Sequence, residues 1–152
     1  MTGATGFIGS FLSQQIVVQE HHLIVLSRNP LKHISKRVEQ HTHNLEDIKG
    51  LSKAIFSNVD CVIHSAARAH IATDPSFNSI DEYRRINRDM TLNLARVASK
   101  CGVKRFIYLS SIKVNGEQTP PKSKFRPDDN FSSFDPYAIS KYEAENGLLD
   151  LA

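Results

Sequence analysis

The chain has 152 residues, 40% hydrophobic and 23% charged, with seven glycines and six prolines. That is the composition of one ordinary globular domain, residues 1–152, and it excludes a disordered or collagenous chain. Nineteen basic and sixteen acidic side chains leave a net charge of +3, spread along the sequence rather than gathered in a block, which argues against a nucleic-acid partner. No apolar run approaches the ~20 residues a membrane helix needs, and no basic segment, apolar stretch and cleavage site open the chain, so it reads as cytoplasmic with no membrane partner. Cys61 and Cys101 are too few for a disulfide scaffold and are expected as buried thiols.

Short apolar runs alternate with helical patterns, the arrangement of β-α units around a parallel sheet, which makes the fold class α/β. The first helical pattern places Phe7, Ile8, Phe11, Leu12 and Ile16 on one apolar face. The runs Leu23–Leu26, Cys61–Ile63 and Phe106–Leu109 are continuous and β-rich, as strands buried on both faces should be, and a weaker strand is expected over Arg37–Thr42. Ile86, Met90, Leu94, Val97 and Cys101 recur at helical spacing, and Gly102 closes that helix as a C-terminal cap. The segment Asn115–Ser133 holds Pro120, Pro121 and Pro127 among small and charged residues and reads as a surface excursion of the kind that borders active sites.

The run Thr2-Gly3-Ala4-Thr5-Gly6-Phe7-Ile8-Gly9 spaces its glycines by three and leads into the first helix. Backbone N–H groups in such a turn can approach a phosphate, and the helix N-terminus adds unsatisfied donors and the positive end of a dipole. No Gly-Lys-Ser or Gly-Lys-Thr ending follows, which disfavours a nucleoside-triphosphate loop. After the next strand a dinucleotide site selective for NAD usually places an acidic residue on the ribose 2′-hydroxyl. This chain has Ser27 and Arg28 there, a hydroxyl and a guanidinium that suit a 2′-phosphate, so NADP is expected ahead of NAD.

Tyr137-Ala138-Ile139-Ser140-Lys141 follows Asp135, a candidate N-cap, and Pro136, a candidate first helical residue. Tyr137 and Lys141 then share one helix face. A tyrosine of ordinary pKa, about 10, is a poor base at neutral pH, and an ammonium beside a phenol favours the phenolate. Ser110 and Ser111 leave the carboxyl end of the strand Phe106–Leu109, the edge where parallel sheets bind ligands, and a hydroxyl there can hold a substrate oxygen while Tyr137 moves its proton. His41 and His43 can face one side of a strand, but no further ligands at a useful spacing complete a metal site.

These motifs in this order resemble the extended short-chain dehydrogenase/reductase family, the NAD-dependent epimerase/dehydratase group that acts on nucleotide sugars. The resemblance rests on the glycine turn, Ile63-His64-Ser65-Ala66-Ala67, Asn87, Gly102-Val103-Lys104-Arg105-Phe106-Ile107 leading to Ser110-Ser111, and Tyr137 to Lys141. It implies a Rossmann-type doubly wound parallel sheet and an NAD or NADP cofactor. It further implies Ser111 as the catalytic serine, Tyr137 as the acid/base, Lys141 as its partner and ribose ligand, and Asn87 as support for a water relay to the lysine. Cofactor contacts are implied at Gly3, Thr5, Gly6, Phe7, Ile8, Gly9, Ser27, Arg28, Asn44, Leu45, His64, Ala66, Ala67, Tyr137 and Lys141. Asn44 stands where the family usually has an Asp against the adenine, and Asn115 where a Tyr is common.

Dehydratases of the family carry an acidic pair directly after the catalytic hydroxyl, and here those places hold Ile112 and Lys113. The resemblance therefore implies either a C4 epimerase or a reductase of a 4-keto sugar, acting on a UDP-hexose in the cytoplasm, with a homodimer formed through the helices of Asn87 and Tyr137. The alternative is a non-catalytic relative, a redox sensor or scaffold, against which the joint presence of Ser111, Tyr137 and Lys141 argues. The chain starts inside the glycine turn and stops just after the Tyr137 helix. The resemblance thus implies an incomplete sheet lacking its first, central strand, which would lie between Leu23–Leu26 and Cys61–Ile63, and lacking the C-terminal substrate lobe. By itself such a chain is expected to be inactive, with Met1 standing where the family commonly has Val.

Overall fold

The computed structural model describes residues 1–31, 36–69, 79–119 and 121–152. They form two compact units, Met1–Ala67 with Asn93–Leu109, and Arg68–Leu92 with Ser110–Ala152. Pro120, expected within the surface excursion, lies outside the described residues.

The first unit is α/β. Strand β1 (Leu23–Ser27) pairs in parallel with β2 (Val38–Thr42), and β3 (Cys61–His64) pairs in parallel with β4 (Arg105–Tyr108). Thr2 joins the two ladders through parallel bridges to both Leu26 and His64. The order is therefore β2, β1, Thr2, β3, β4. Met1 and Thr2 hold one end of the central place, which sequence reasoning expected to be empty: the Met1 carbonyl accepts from Leu26 N at 2.9 Å, and Thr2 N donates to Ile63 O at 3.0 Å.

Burial along the strands departs from the expectation of uniformly buried runs. In β1, Leu23, Val25, Leu26 and Ser27 are buried, as an inner parallel strand requires. Strand β3 alternates between buried and half-buried positions, and β4 exposes Arg105 and Ile107. Being last in the described order, β4 has a partner strand on one side only. Cys61 and Cys101, expected to be buried, are half-buried free thiols.

Helix α1 (Phe7–Val18) turns only part of its expected apolar face inward: Leu12 and Ile16 are half-buried, while Phe7, Ile8 and Phe11 are exposed. Phe7 is 96% and Phe11 65% exposed, while Ile16 and Val17 pack on the buried cluster of Ala4, Leu23 and Val25. The reason lies at Gly9. A Cβ added there would stand 2.0 Å from the Gly3 carbonyl oxygen, so this close backbone approach sets the rotation of the helix, overriding its apolar stripe. Helix α3 (Met90–Lys100) ends as expected at Gly102, whose φ of +83° is the left-handed cap conformation.

In the second unit, helix α2 (Ile80–Tyr83) runs into a π-helical turn, Arg84–Asp89, which buries Asn87. Helix α4 (Pro136–Leu149) starts as its sequence dictates, with the Asp135 side chain accepting from Tyr137 N and Pro136 opening the first turn. It buries Ala138, Ser140, Lys141 and Ala144. Glu143 ties α4 to the π turn by bonds from Arg84 at 2.6 Å and Arg88 at 3.0 Å. Ser111 caps a 3-10 turn, Ile112–Asn115, and the described residues between this turn and α4 form no helix or strand, in line with the expected surface excursion.

The Gly9 contact yields a first prediction. Gly9→Ala forces a methyl group into backbone and should destabilise the full-length protein by about 2 kcal/mol or more, visible as a fall of several degrees in melting temperature. Unchanged melting would contradict the close approach.

Candidate active site

The glycine turn leaves Thr2 with Gly3 at φ +71°, and Gly6 N donates to Gly3 O at 3.0 Å. A Cβ on Gly3 would lie 2.5 Å from Ala66 N, so the turn sits directly on the chain leaving β3. Gly6 caps α1 without a side-chain bond, and no acidic residue occupies the first turn. Thr5, Gly6, Phe7 and Ile8 are exposed. The helix end thus keeps unsatisfied N–H groups and its positive pole beside a turn that admits no Cβ at Gly3 or Gly9, and these features fit the pyrophosphate of a dinucleotide.

The other cofactor candidates in this unit divide by burial. Ser27 is 8% exposed; its hydroxyl donates to Asn29 O at 2.7 Å and accepts from Gln40 Nε2 at 3.3 Å, while Arg28 is exposed. Any recognition of a 2′-phosphate therefore rests mainly on Arg28. His64 is wholly buried, its Nδ1 2.6 Å from Thr2 Oγ1 and its ring stacked on Tyr108, so a ligand at this strand end would meet Ser65, Ala66 and Ala67 instead. Asn44 is exposed and its side chain accepts from Glu46 N at 3.3 Å, whereas Leu45 is a core residue, 7% exposed. His41 bonds Glu39, and His43 bonds the Asp47 carbonyl.

Ser111, Asn87, Tyr137 and Lys141 all belong to the second unit. The Ser111 hydroxyl accepts from Lys113 N at 3.3 Å, a bond that uses an oxygen lone pair and leaves the O–H proton available. Tyr137 is half-buried, its ring edge-on to the buried Tyr83 at 6.1 Å. Asn87 is 1% exposed. Its Oδ1 accepts from Arg68 N at 2.8 Å, and its Nδ2 donates to Arg68 O and Ser140 Oγ, each at 3.0 Å. Ser140 Oγ in turn donates to Tyr137 O at 2.7 Å, so Asn87 acts in this structure as a tie onto the first turn of the tyrosine helix. Sequence reasoning missed Ser140, Arg68, Tyr83 and the bond between Lys113 and Asp135. Only the position of Ser140 inside the Tyr137–Lys141 motif could have signalled its part.

Lys141, one helical turn from Tyr137, is 1% exposed. Burial pushes its ammonium pKa down to about 8, with Glu145 opposing the shift. A lysine with a folded pKa below its unfolded value binds fewer protons when folded. Stability should then rise with pH between about 8 and the ordinary lysine value of 10.5. The whole window corresponds to about 3 kcal/mol at 1.36 kcal/mol per unit. Urea denaturation at pH 8 and pH 10 should show this rise, and Lys141→Met should abolish it; an equal slope in the variant would contradict the burial account.

The family model "NAD dependent epimerase/dehydratase family" matches residues 1–152. A UDP-glucose 4-epimerase of Vibrio cholerae is 36% identical over 154 residues, covering 100% of this chain and 46% of that protein. A structure of MoeE5 in complex with UDP-glucose and NAD superimposes with a TM-score of 0.81 at 29% identity, over 98% of this chain and 47% of that one. The Bordetella bronchiseptica enzyme WbmG, in complex with NAD and UDP, gives a TM-score of 0.78 at 26% identity over 97% and 47%. The chain spans about half the length of the relatives it matches. Among the described residues no helix is long and apolar enough to cross a membrane. The glycine turn, the parallel ladders and these matches together place the chain in the NAD-dependent epimerase/dehydratase family, within the extended short-chain dehydrogenases/reductases, with a Rossmann-type fold.

Proposed function

We propose that residues 1–152 are the dinucleotide-binding domain of an enzyme that moves hydride at C4 of a UDP-hexose, either as a 4-epimerase or as a reductase of a 4-keto sugar. The observation that supports this reading is that Ser111, Tyr137 and the buried Lys141 belong to one unit, with the tyrosine fixed in the first turn of a capped helix. When bound, the dinucleotide accepts or returns a hydride at its nicotinamide ring. The glycine turn and the open end of α1 would hold its pyrophosphate. Tyr137 takes the proton from the sugar 4-hydroxyl as the carbonyl forms and gives it back as the alcohol re-forms. Ser111 donates its O–H to the same oxygen, and Lys141 supplies positive charge one helical turn from the phenol.

Ile112 and Lys113, directly after Ser111, supply no carboxylate pair for eliminating water, so the proposal excludes sugar dehydration. Cofactor choice falls to Arg28, exposed after β1, which suits a 2′-phosphate and favours NADP, although the MoeE5 and WbmG structures hold NAD.

The test uses the full-length protein with UDP-hexoses and UDP-4-keto sugars. Tyr137→Phe should lower turnover about a hundredfold or more with dinucleotide affinity nearly intact. Near-normal turnover would give the tyrosine another role, and a 4-keto-6-deoxy product from an unmodified UDP-hexose would replace the proposed reaction by dehydration. Cofactor titration in the same assays should show NADPH bound roughly ten times more tightly than NADH, a preference that Arg28→Ala removes.

A further inference from the structure

Asp135 does more than cap a helix. One carboxylate oxygen, Oδ1, accepts from Tyr137 N at 2.9 Å, and the other, Oδ2, accepts from Lys113 Nζ at 2.5 Å. Lys113 also reaches the serine, because its backbone N donates to Ser111 Oγ at 3.3 Å. One residue thus grips the Ser111 hydroxyl through its amide and the tyrosine helix through its ammonium. A second strap closes the ring: Asp135 N donates to Ser133 Oγ at 3.2 Å, Ser133 Oγ donates to Glu117 Oε1 at 3.2 Å, and Glu117 Oε2 lies 3.9 Å from Lys113 Nζ. All of these residues belong to the second unit.

We propose that Lys113 is a positioning residue for the reaction proposed above, its ammonium joining the turn that carries Ser111 to the helix cap that fixes Tyr137. A cap needs one oxygen, and asparagine caps as well as aspartate. The second oxygen therefore has a separate task, which is to hold the ammonium. The Lys113 side chain is 43% and the Asp135 side chain 18% exposed, and a partly exposed pair of this kind adds little to global stability. Its effect falls on geometry, where a displacement of about 1 Å between two groups acting on one oxygen can cost up to a hundredfold in rate.

The inference rests on the Ser111 and Tyr137 roles, and the experiment separates the two. Lys113→Met, Lys113→Arg, Asp135→Asn and the double variant Lys113→Met/Asp135→Asn are made in the full-length protein alongside Tyr137→Phe. Turnover, dinucleotide affinity and melting temperature are measured for each. Lys113→Met and Asp135→Asn should each lower kcat about tenfold or more, with affinity within about twofold of wild type and melting little changed. The double variant should be no slower than the slower single one, because both remove the same tie. Lys113→Arg, which keeps the cation, should recover most of the rate. Normal kcat in Lys113→Met or Asp135→Asn beside an inactive Tyr137→Phe would overturn the positioning role while leaving the proposed reaction standing. Losses that multiply in the double variant, or a fall in melting temperature without loss of kcat, would also overturn it. An active Tyr137→Phe would instead remove the reading on which the inference rests.

Discussion

Two parallel ladders meet at Thr2, and the glycine turn takes its direction from that seam. Its amide donates to Ile63 O, and its carbonyl accepts from Ser65 N at 3.3 Å and from Ser65 Oγ at 2.8 Å. Its hydroxyl lies 2.6 Å from the buried His64 and 3.4 Å from Ala66 N. With every polar group of Thr2 engaged, Gly3 leaves the sheet at one angle and lands on the Ser65–Ala66 backbone. Two-stranded ladders are marginal alone, and this residue makes four strands of them. The open end of α1 is then presented beside the carboxyl ends of β1 and β3, where parallel sheets bind ligands.

The second unit solves a different problem, holding polar groups in fixed places around α4. Asn87 and Asp135 each serve the first turn of α4, one through Ser140 and the other through the Tyr137 amide. The π-helical turn that carries Asn87 widens the backbone locally, a feature that recurs at functional sites. Glu143 adds Arg84 and Arg88 to the same helix. Tyr137 is thereby held by its backbone, while Lys141 is placed where burial lowers its proton affinity.

Much of this was legible in the residues. Three apolar runs and the weaker segment Arg37–Thr42 mark the four described strands to within one position, Gly102 marks the end of α3, and Asp135-Pro136 marks the start of α4, because these signals are local. The inward face of α1 was legible at Leu12 and Ile16 but not in its first turns. Its apolar stripe points one way and the glycine contact another, and a contact between Gly9 and Gly3 depends on the path of a turn that periodicity does not encode. The burial of His64 depends in the same way on Thr2, 62 residues away in sequence. At the candidate site the motif residues could be read one by one. The ties that position them join Lys113 to Asp135 and Asn87 to Ser140, across 22 and 53 residues of chain, and only folding brings them together.

The central claim is that this chain's residues serve hydride transfer at C4 of a nucleotide sugar. Isotope tracing with the full-length protein tests it most directly. The enzyme is mixed with a UDP-hexose deuterated at C4 and with the oxidised dinucleotide, quenched during turnover, and the nicotinamide recovered for mass spectrometry. The account predicts deuterium on the reduced nicotinamide in wild type and little in Tyr137→Phe. Turnover of the sugar with no deuterium reaching the nicotinamide, whether the label stays on the sugar throughout or is lost to water, would contradict it.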